Sequence, residues 1–310
     1  MYYPILRGRQ NELLAIRELS KAGKLKHIIP IIEPVKVSST LFSTIIQLEE
    51  ANDPAIIVLN SDIGSFEYEL TQSEEVLDDF YETVYSAENL GIVFRNGRGL
   101  FEPANFPRKK IGYFLSTGNT RLYRDLCDAH MPAITLISNP RLRRIAKGRK
   151  ISLTTEFDPL SPNAKYRHHP KDFLTEEHLF FRDEGFDGFS DYSIIGEDCS
   201  EGGFMPRVVA LHLTYFNSED DALFIRHFTS GDGFGEHDVA GKFSDALSKM
   251  MKWVFDNKAQ VRYTHTRGLD IYRNIWESGH YPGLGVAKKL SLMHHIETMN
   301  YYLEESHGFN

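Results

Sequence analysis

Charged and amide residues recur just where short apolar runs end. Arg7 and Arg9 follow "YYPIL", Glu33 and Lys36 close "IIPIIEPVK", and Asn60 and Asp62 end "PAIIVLNSD". Further on, Arg95 and Asn96 end "GIVFRNG", Ser116, Thr117 and Asn119 follow "KKIGYFL", and Ser138 and Asn139 follow "PAITLI". Glu156 and Asp158 follow "KISLTT", and Asp191 and Tyr192 follow "GFS". An arginine beside a glycine allows close backbone approach and offers a fork of donors, which suits a phosphate or a carboxylate. The candidate ligand set is therefore Arg7, Arg9, Glu33, Lys36, Asn60, Arg95, Ser116 and Tyr192. The acidic members Glu33, Glu156, Asp158 and Asp191, with Asp62, are the candidates for acid–base work or for holding a divalent cation. Arg7 also has a plainer reading, a salt bridge to Glu33 on the neighbouring strand. The two are compatible, since a carboxylate can orient an arginine that binds a ligand. Glu12 reads as an acid in the first turn of a helix, where the helix dipole favours it.

These residues form a site only if the chain brings strand ends together. Residues 3 to about 195 give eight strand-like runs, most separated by helical segments such as "SSTLFSTIIQLEEAN" and "TQSEEVLDDFYETVYSAENL". In the second of these, Thr71 and Glu74 make a capping-box pattern. Alternation of β and α argues for a parallel sheet. Eight units argue for a closed (β/α)8 barrel of the TIM type, whose sites lie at the C-terminal ends of the strands. A doubly wound open sheet is the alternative. After residue 200 the pattern changes. "RVVALHLTYF" and "ALFIRHFTS" read as an antiparallel hairpin, and "KFSDALSKMMKWVFDNKAQV" and "VAKKLSLMHHIETMNYYLEES" as helices. The expected organisation is a barrel over residues 1–200, with a C-terminal hairpin and helices over 201–310 packed on it.

Other motifs carry less. The histidines of "RHHP" point apart, and "MHHIE" needs further ligands from elsewhere to hold a metal. "GDGFGEHD" matches neither a P-loop nor a dinucleotide fingerprint, and no G-x-S-x-G elbow occurs. "RLRRIAKGRK" is the one basic run and reads as a solvated helix face. No metal site and no cofactor is expected, unless the protein is an enzyme that uses a divalent ion.

Composition bounds the rest. The chain has 310 residues, 41% hydrophobic and 25% charged, which is ordinary for a globular protein with a large core. A net charge of −8 argues against strong direct DNA binding. Two cysteines, Cys127 and Cys199, imply no disulfide framework and fit a cytoplasmic home. The opening "MYYPILRGRQ" lacks a signal-peptide pattern, and no apolar run is long enough to span a bilayer.

"YYPILRGRQNELLAIREL", "IIPIIEPVK", "FSDYSIIGE", "VALHLTY" and "YPGLG", in that order, resemble the bacterial and phage proteins grouped as the beta protein family. The resemblance implies a TIM-barrel-like protein associated with mobile elements or anti-phage defence, some relatives being encoded beside a nuclease-like partner. It carries no catalytic residue over. The expected function is a ligand-binding or regulatory component that holds an anionic, phosphorylated or nucleotide ligand at the barrel mouth and acts with a partner protein. The alternatives are a metal-assisted phosphodiesterase or hydrolase with its site at the same mouth, or a purely structural protein.

Overall fold

A computed structural model describes residues 1–61, 63–96, 99–197 and 207–307. Asp62 and Cys199 lie outside the described residues. The chain divides into two compact units, Met1–Thr154 with Phe180–Asp191, and Thr155–Leu179 with Tyr192–Asn310. The division therefore falls near residue 155, with a short return to the first unit, rather than at residue 200.

The first unit is built on β1 (Ile5–Leu6), β2 (Ile31–Ile32), β3 (Ala55–Val58), β4 (Leu90–Arg95), β5 (Ile111–Phe114), β6 (Ile134–Ile137) and β7 (Arg149–Leu153). After β8 (Lys171–Thr175), which belongs to the second unit, β9 (Gly188–Ser190) completes it. These eight strands pair in parallel in the order β1-β2-β3-β4-β5-β6-β7-β9. The sheet curls into a nearly closed barrel. Tyr2 bridges Phe189, the Tyr3 and Ile5 amides donate to the carbonyls of Phe189 and Asp191, and Ser190 Oγ donates to the Tyr3 carbonyl. The strands are short and apolar, and β3, β5 and β6 are buried along their whole length, as a sheet covered on both faces requires.

Helices α1 (Gln10–Lys21), α2 (Ser39–Glu50), α3 (Phe66–Thr71), α4 (Glu74–Ser86), α5 (Thr120–Ala129) and α6 (Pro140–Arg143) fill the crossovers. The β4–β5 connection departs from the repeat, with only a 3-10 turn at Pro103–Asn105. Several helices start on a side-chain cap immediately past a strand. Asn119 and Asn139 accept from the amides of Leu122 and Arg141, so these two strand-end amides start helices. The start of α4 differs from the expected Thr71–Glu74 box. Its N-cap is Ser73, whose hydroxyl accepts from the Val76 amide, while Thr71 ends α3.

The second unit holds the expected hairpin, β10 (Ala210–Phe216) with β11 (Leu223–Thr229), and a third antiparallel strand, β8, on the free edge of β11. The β8 strand has no signal of its own, because "HHPKDFLTEEH" reads as a loop running into a helix. That helix, α7, is only Glu177–Phe180. Helices α8 (Val239–Asp256), α9 (Lys258–Val261), α10 (Arg267–Ser278) and α11 (Leu284–His307) complete the unit. Gly268, inside α10, has a contact role. A Cβ there would stand 2.3 Å from the Leu290 carbonyl oxygen, so glycine lets α10 lie against α11.

From Leu290 to Asn300 every residue of α11 is buried, so the helix is surrounded rather than amphipathic. "MHHIE" lies in this stretch as a structural device. His294 bonds Thr266 Oγ1 at 2.7 Å and the Thr214 carbonyl at 3.0 Å, and Glu297 accepts from the Arg267 amide at 2.7 Å, which together fix the start of α10. Burial pushes His178, His227 and His294 down to about 4, and His295 to about 3, from the usual 6.5.

Two predictions follow from these contacts. Ser73→Ala should cost about 1 kcal/mol in chemical unfolding, the usual worth of an N-cap, while Thr71→Ala leaves stability nearly unchanged. The buried histidines bind protons more readily once unfolded. Their stabilisation is complete above pH 6.5 and is lost as pH falls toward 4. Thermal melts followed by circular dichroism should show the second unit's transition falling steadily across that window.

Candidate functional site

The chain turns sharply after β1. Gly8 sits at φ +62, and a Cβ on it would stand 3.1 Å from Pro34 Cα, so the turn after β1 is pressed against the turn after β2. Glu12 secures this turn. Its carboxylate accepts from the Arg7 amide at 2.7 Å and is buried, so it ties α1 back to the end of β1. Glu12 does lie in the first turn of α1, as expected, and this contact adds to that role. The signal was its position five residues after Arg7 across a glycine turn.

Glu33, the residue after β2, lies at the centre of the mouth and is 1% exposed. Its Oε2 accepts from Arg7 Nη1, the salt bridge expected between neighbouring strands. Its Oε1 accepts from Arg95 Nη1 at 2.5 Å. The second contact crosses β3 to the end of β4 and had no signal in sequence spacing. Two guanidiniums thus converge on the Glu33 carboxylate. The Arg7 side chain is 3% exposed and that of Arg95 11%.

Asn60 supports the arrangement from β3. Its Oδ1 accepts from the Arg95 amide at 2.5 Å and its Nδ2 donates to the Arg95 carbonyl, so both ends of the amide hold the backbone of β4. The Arg95 guanidinium also lies over the Phe114 ring, 5.1 Å from its centroid. Asn96, at φ +54, accepts from the amide and hydroxyl of Ser116, stitching the end of β4 to that of β5. Ser61, beside Asn60, is buried, and its Oγ has no hydrogen-bond partner among the described residues. Sequence reasoning did not single it out.

The other candidates are distributed differently. Arg9 is half-buried at the N-cap position of α1, and Lys36 and Ser116 are exposed. Asp191 is buried at the end of β9, where Oδ1 accepts from Tyr2 OH at 2.6 Å. Glu156, Asp158 and Tyr192 belong to the second unit, the two acids exposed and the tyrosine buried. Glu156 and Asp158 follow the end of the first unit at Thr154, and Tyr192 follows its return at Asp191. Among the described residues, no group of three or more His, Cys, Asp or Glu side chains is arranged to hold a metal ion. Of the acids expected to bind a cation, Glu33 faces two arginines and Asp191 a tyrosine hydroxyl. Within the basic run, Arg143 pairs with Glu184 and lies over Phe186.

The fold and these contacts define a class: a parallel β/α barrel whose mouth holds a buried Arg–Glu–Arg group. Compared with known proteins, the chain matches no protein-family model and no curated protein.

Removing Glu33 takes from two buried guanidiniums the carboxylate they share. Glu33→Gln should therefore lower barrel stability by about 3–5 kcal/mol in urea unfolding. Arg7→Ala should be destabilising on the same scale, since it strips a buried ion pair rather than an exposed one.

Proposed function

We propose that the barrel mouth binds an anionic small molecule, a phosphorylated compound or a nucleotide, and that the protein acts as a ligand-binding or regulatory component. The observation that carries this reading is the convergence of two guanidiniums: Arg7 and Arg95 meet at the carboxylate of Glu33 in a buried setting. Guanidiniums held in place by strand ends with little water around them offer an arriving anion a fork of donors. Arg95, the more exposed of the pair, makes the direct contact. Ser116 and Lys36 lie at the exposed rim, and the orphan Ser61 hydroxyl supplies a further polar partner.

The resemblance to the beta protein family supports a wider context. In that setting the protein works in the cytoplasm, within a defence module carried by phage or mobile elements, beside a nuclease-like partner. Among the described residues no helix is long and apolar enough to cross a membrane. The metal-assisted hydrolase reading has no carboxylate cluster behind it among the described residues, so ligand binding is the stronger of the two.

The test is mass spectrometry of small molecules and metals released from the purified protein, joined to calorimetric titration with pyrophosphate and with nucleoside mono- and triphosphates. A bound or saturably binding phosphate compound is expected. Arg95→Ala should weaken it at least about tenfold, the worth of one charged hydrogen bond, without unfolding the barrel. A protein that carries no anion and binds none of these probes would overturn the proposal.

A further inference from the structure

The second unit contains a row of side chains that neither the barrel nor its mouth uses. Asp172 on β8, His227 on β11 and His212 on β10 lie side by side across the three-stranded sheet. Asp172 Oδ2 is 3.0 Å from His227 Nε2, and His227 Nδ1 is 2.6 Å from His212 Nδ1. His212 and His227 are direct cross-strand partners. Tyr166 covers the pair, its ring 4.2 Å from that of His227 and 4.9 Å from that of His212, and its hydroxyl accepts from the Leu160 amide. Phe157 stacks on His227 from further out, at 6.1 Å.

The row fixes its own tautomers. A carboxylate only accepts, so His227 carries its proton on Nε2 and donates to Asp172. Neutral His227 then has a bare Nδ1. The 2.6 Å contact holds one proton, which must be the Nδ1 proton of His212. His212 is left with a lone pair on Nε2. That nitrogen makes no hydrogen bond to a described residue, and it is not among the side-chain atoms closed off from solvent. The side chain of Asp172 is 33% exposed and that of His227 is fully buried, so the row runs from a wet carboxylate through a dry imidazole to a half-buried one.

We propose that Asp172, His227 and His212 form a proton relay whose working end is His212 Nε2, a base that takes a proton from a hydroxyl or a water presented by an anionic ligand. The step balances within the row. The O–H proton goes to His212 Nε2, the His212 Nδ1 proton passes to His227 Nδ1, and the His227 imidazolium stands against the Asp172 carboxylate. The ligand or water keeps the electron pair as an oxyanion. Asp172 and His227 are positioning residues here, because only His212 meets the ligand.

The surroundings favour a neutral resting row and a negatively charged visitor. Burial, then the His227 imidazole and Lys288 of α11, pushes His212 down to about 3. Burial, then Arg226 and His169, pushes His227 down to about 4. Arg226 turns its guanidinium over Trp253, at 4.9 Å, while Lys288 is an exposed cation and the His169 imidazole is exposed. Burial raises the Asp172 carboxyl and His169 lowers it. Asp158 is the acid that acts on Tyr166 from outside the sheet, with Asp172. This site is independent of the barrel mouth and stands or falls without it.

Nitrogen-15 NMR of the full chain with labelled histidine tests it at pH 7. His227 should be protonated on Nε2, and His212 on Nδ1 with a bare Nε2. His227→Phe should return His212 to the Nε2–H form that a free imidazole prefers, with the fold checked by circular dichroism. Diethyl pyrocarbonate should acylate His212 at its bare Nε2. Inorganic phosphate should shift the His212 Nε2 resonance. A proton on His212 Nε2 in the folded protein, or a His212 that diethyl pyrocarbonate leaves unmodified, would overturn the relay. A resonance unmoved by phosphate would overturn its anionic ligand.

Discussion

The structure of the barrel mouth depends on one carboxylate. Glu33 sits at the end of β2 with an arginine from β1 on one oxygen and an arginine from β4 on the other. Taking three charged groups out of water is costly, and their mutual attraction offsets that cost only when the geometry is good and the remaining polar atoms are satisfied. The surrounding contacts supply this geometry. Asn60 clamps both backbone polar groups of Arg95, Glu12 holds the amide of Arg7, and Gly8 lets the first turn close on Pro34. Each contact fixes the backbone of an arginine rather than its charged end. The guanidiniums are thereby placed by the strand ends, and Glu33 selects where they meet. A hydrophobic plug would hold the strands as well. The charged group adds a defined register and a defined electrostatic sign.

The second unit solves a related problem with histidines in place of arginines. A helix surrounded on all sides, as α11 is, must satisfy every polar side chain it carries. His294 and Glu297 do so by serving the start of α10, one through the Thr266 hydroxyl and one through the Arg267 amide. A neutral imidazole suits this place because it offers one donor and one acceptor without a charge to bury. The first unit buries charge and balances it. The second buries imidazoles and keeps them neutral. Acid therefore strains the second unit first, through protonation of imidazoles whose burial disfavours the charge.

Much of the barrel was readable because its signals are local. Each strand is a short apolar run that ends on a polar residue, and β/α alternation with right-handed crossovers leaves few topologies. The Arg7–Glu33 pair was readable too, since adjacent parallel strands bring their ends together. Arg95 was readable as a strand-end cation but not as a partner of Glu33, because that contact crosses a strand and depends on barrel curvature. Glu156, Asp158 and Tyr192 follow apolar runs in the expected way, but they fall in the second unit, a division that no local signal marks. The edge strand β8 was invisible because its polar, proline-flanked sequence has no alternation of its own, and its pairing comes from β11. The cap of α4 went to Ser73 because a short helix ends just before it, and no residue-type rule separates two helices divided by a single turn.

The Glu33 carboxylate also limits what can bind at the mouth. It already occupies Nη1 of each guanidinium, so an incoming anion competes with Glu33 for the same cations instead of meeting bare ones. A negative charge brought in there lies beside the Glu33 carboxylate in a poorly screened setting and is repelled by it, unless a cation such as Lys36 answers it from the rim. Glu33 is thus both the group that holds the arginines in place and the group that sets how much negative charge they accept. A ligand whose charge is spread along its length, one group at Arg95 and the next toward Lys36, fits this balance better than a compact dianion does. For that reason selectivity at this mouth depends on the spacing of charges in the ligand as much as on their number.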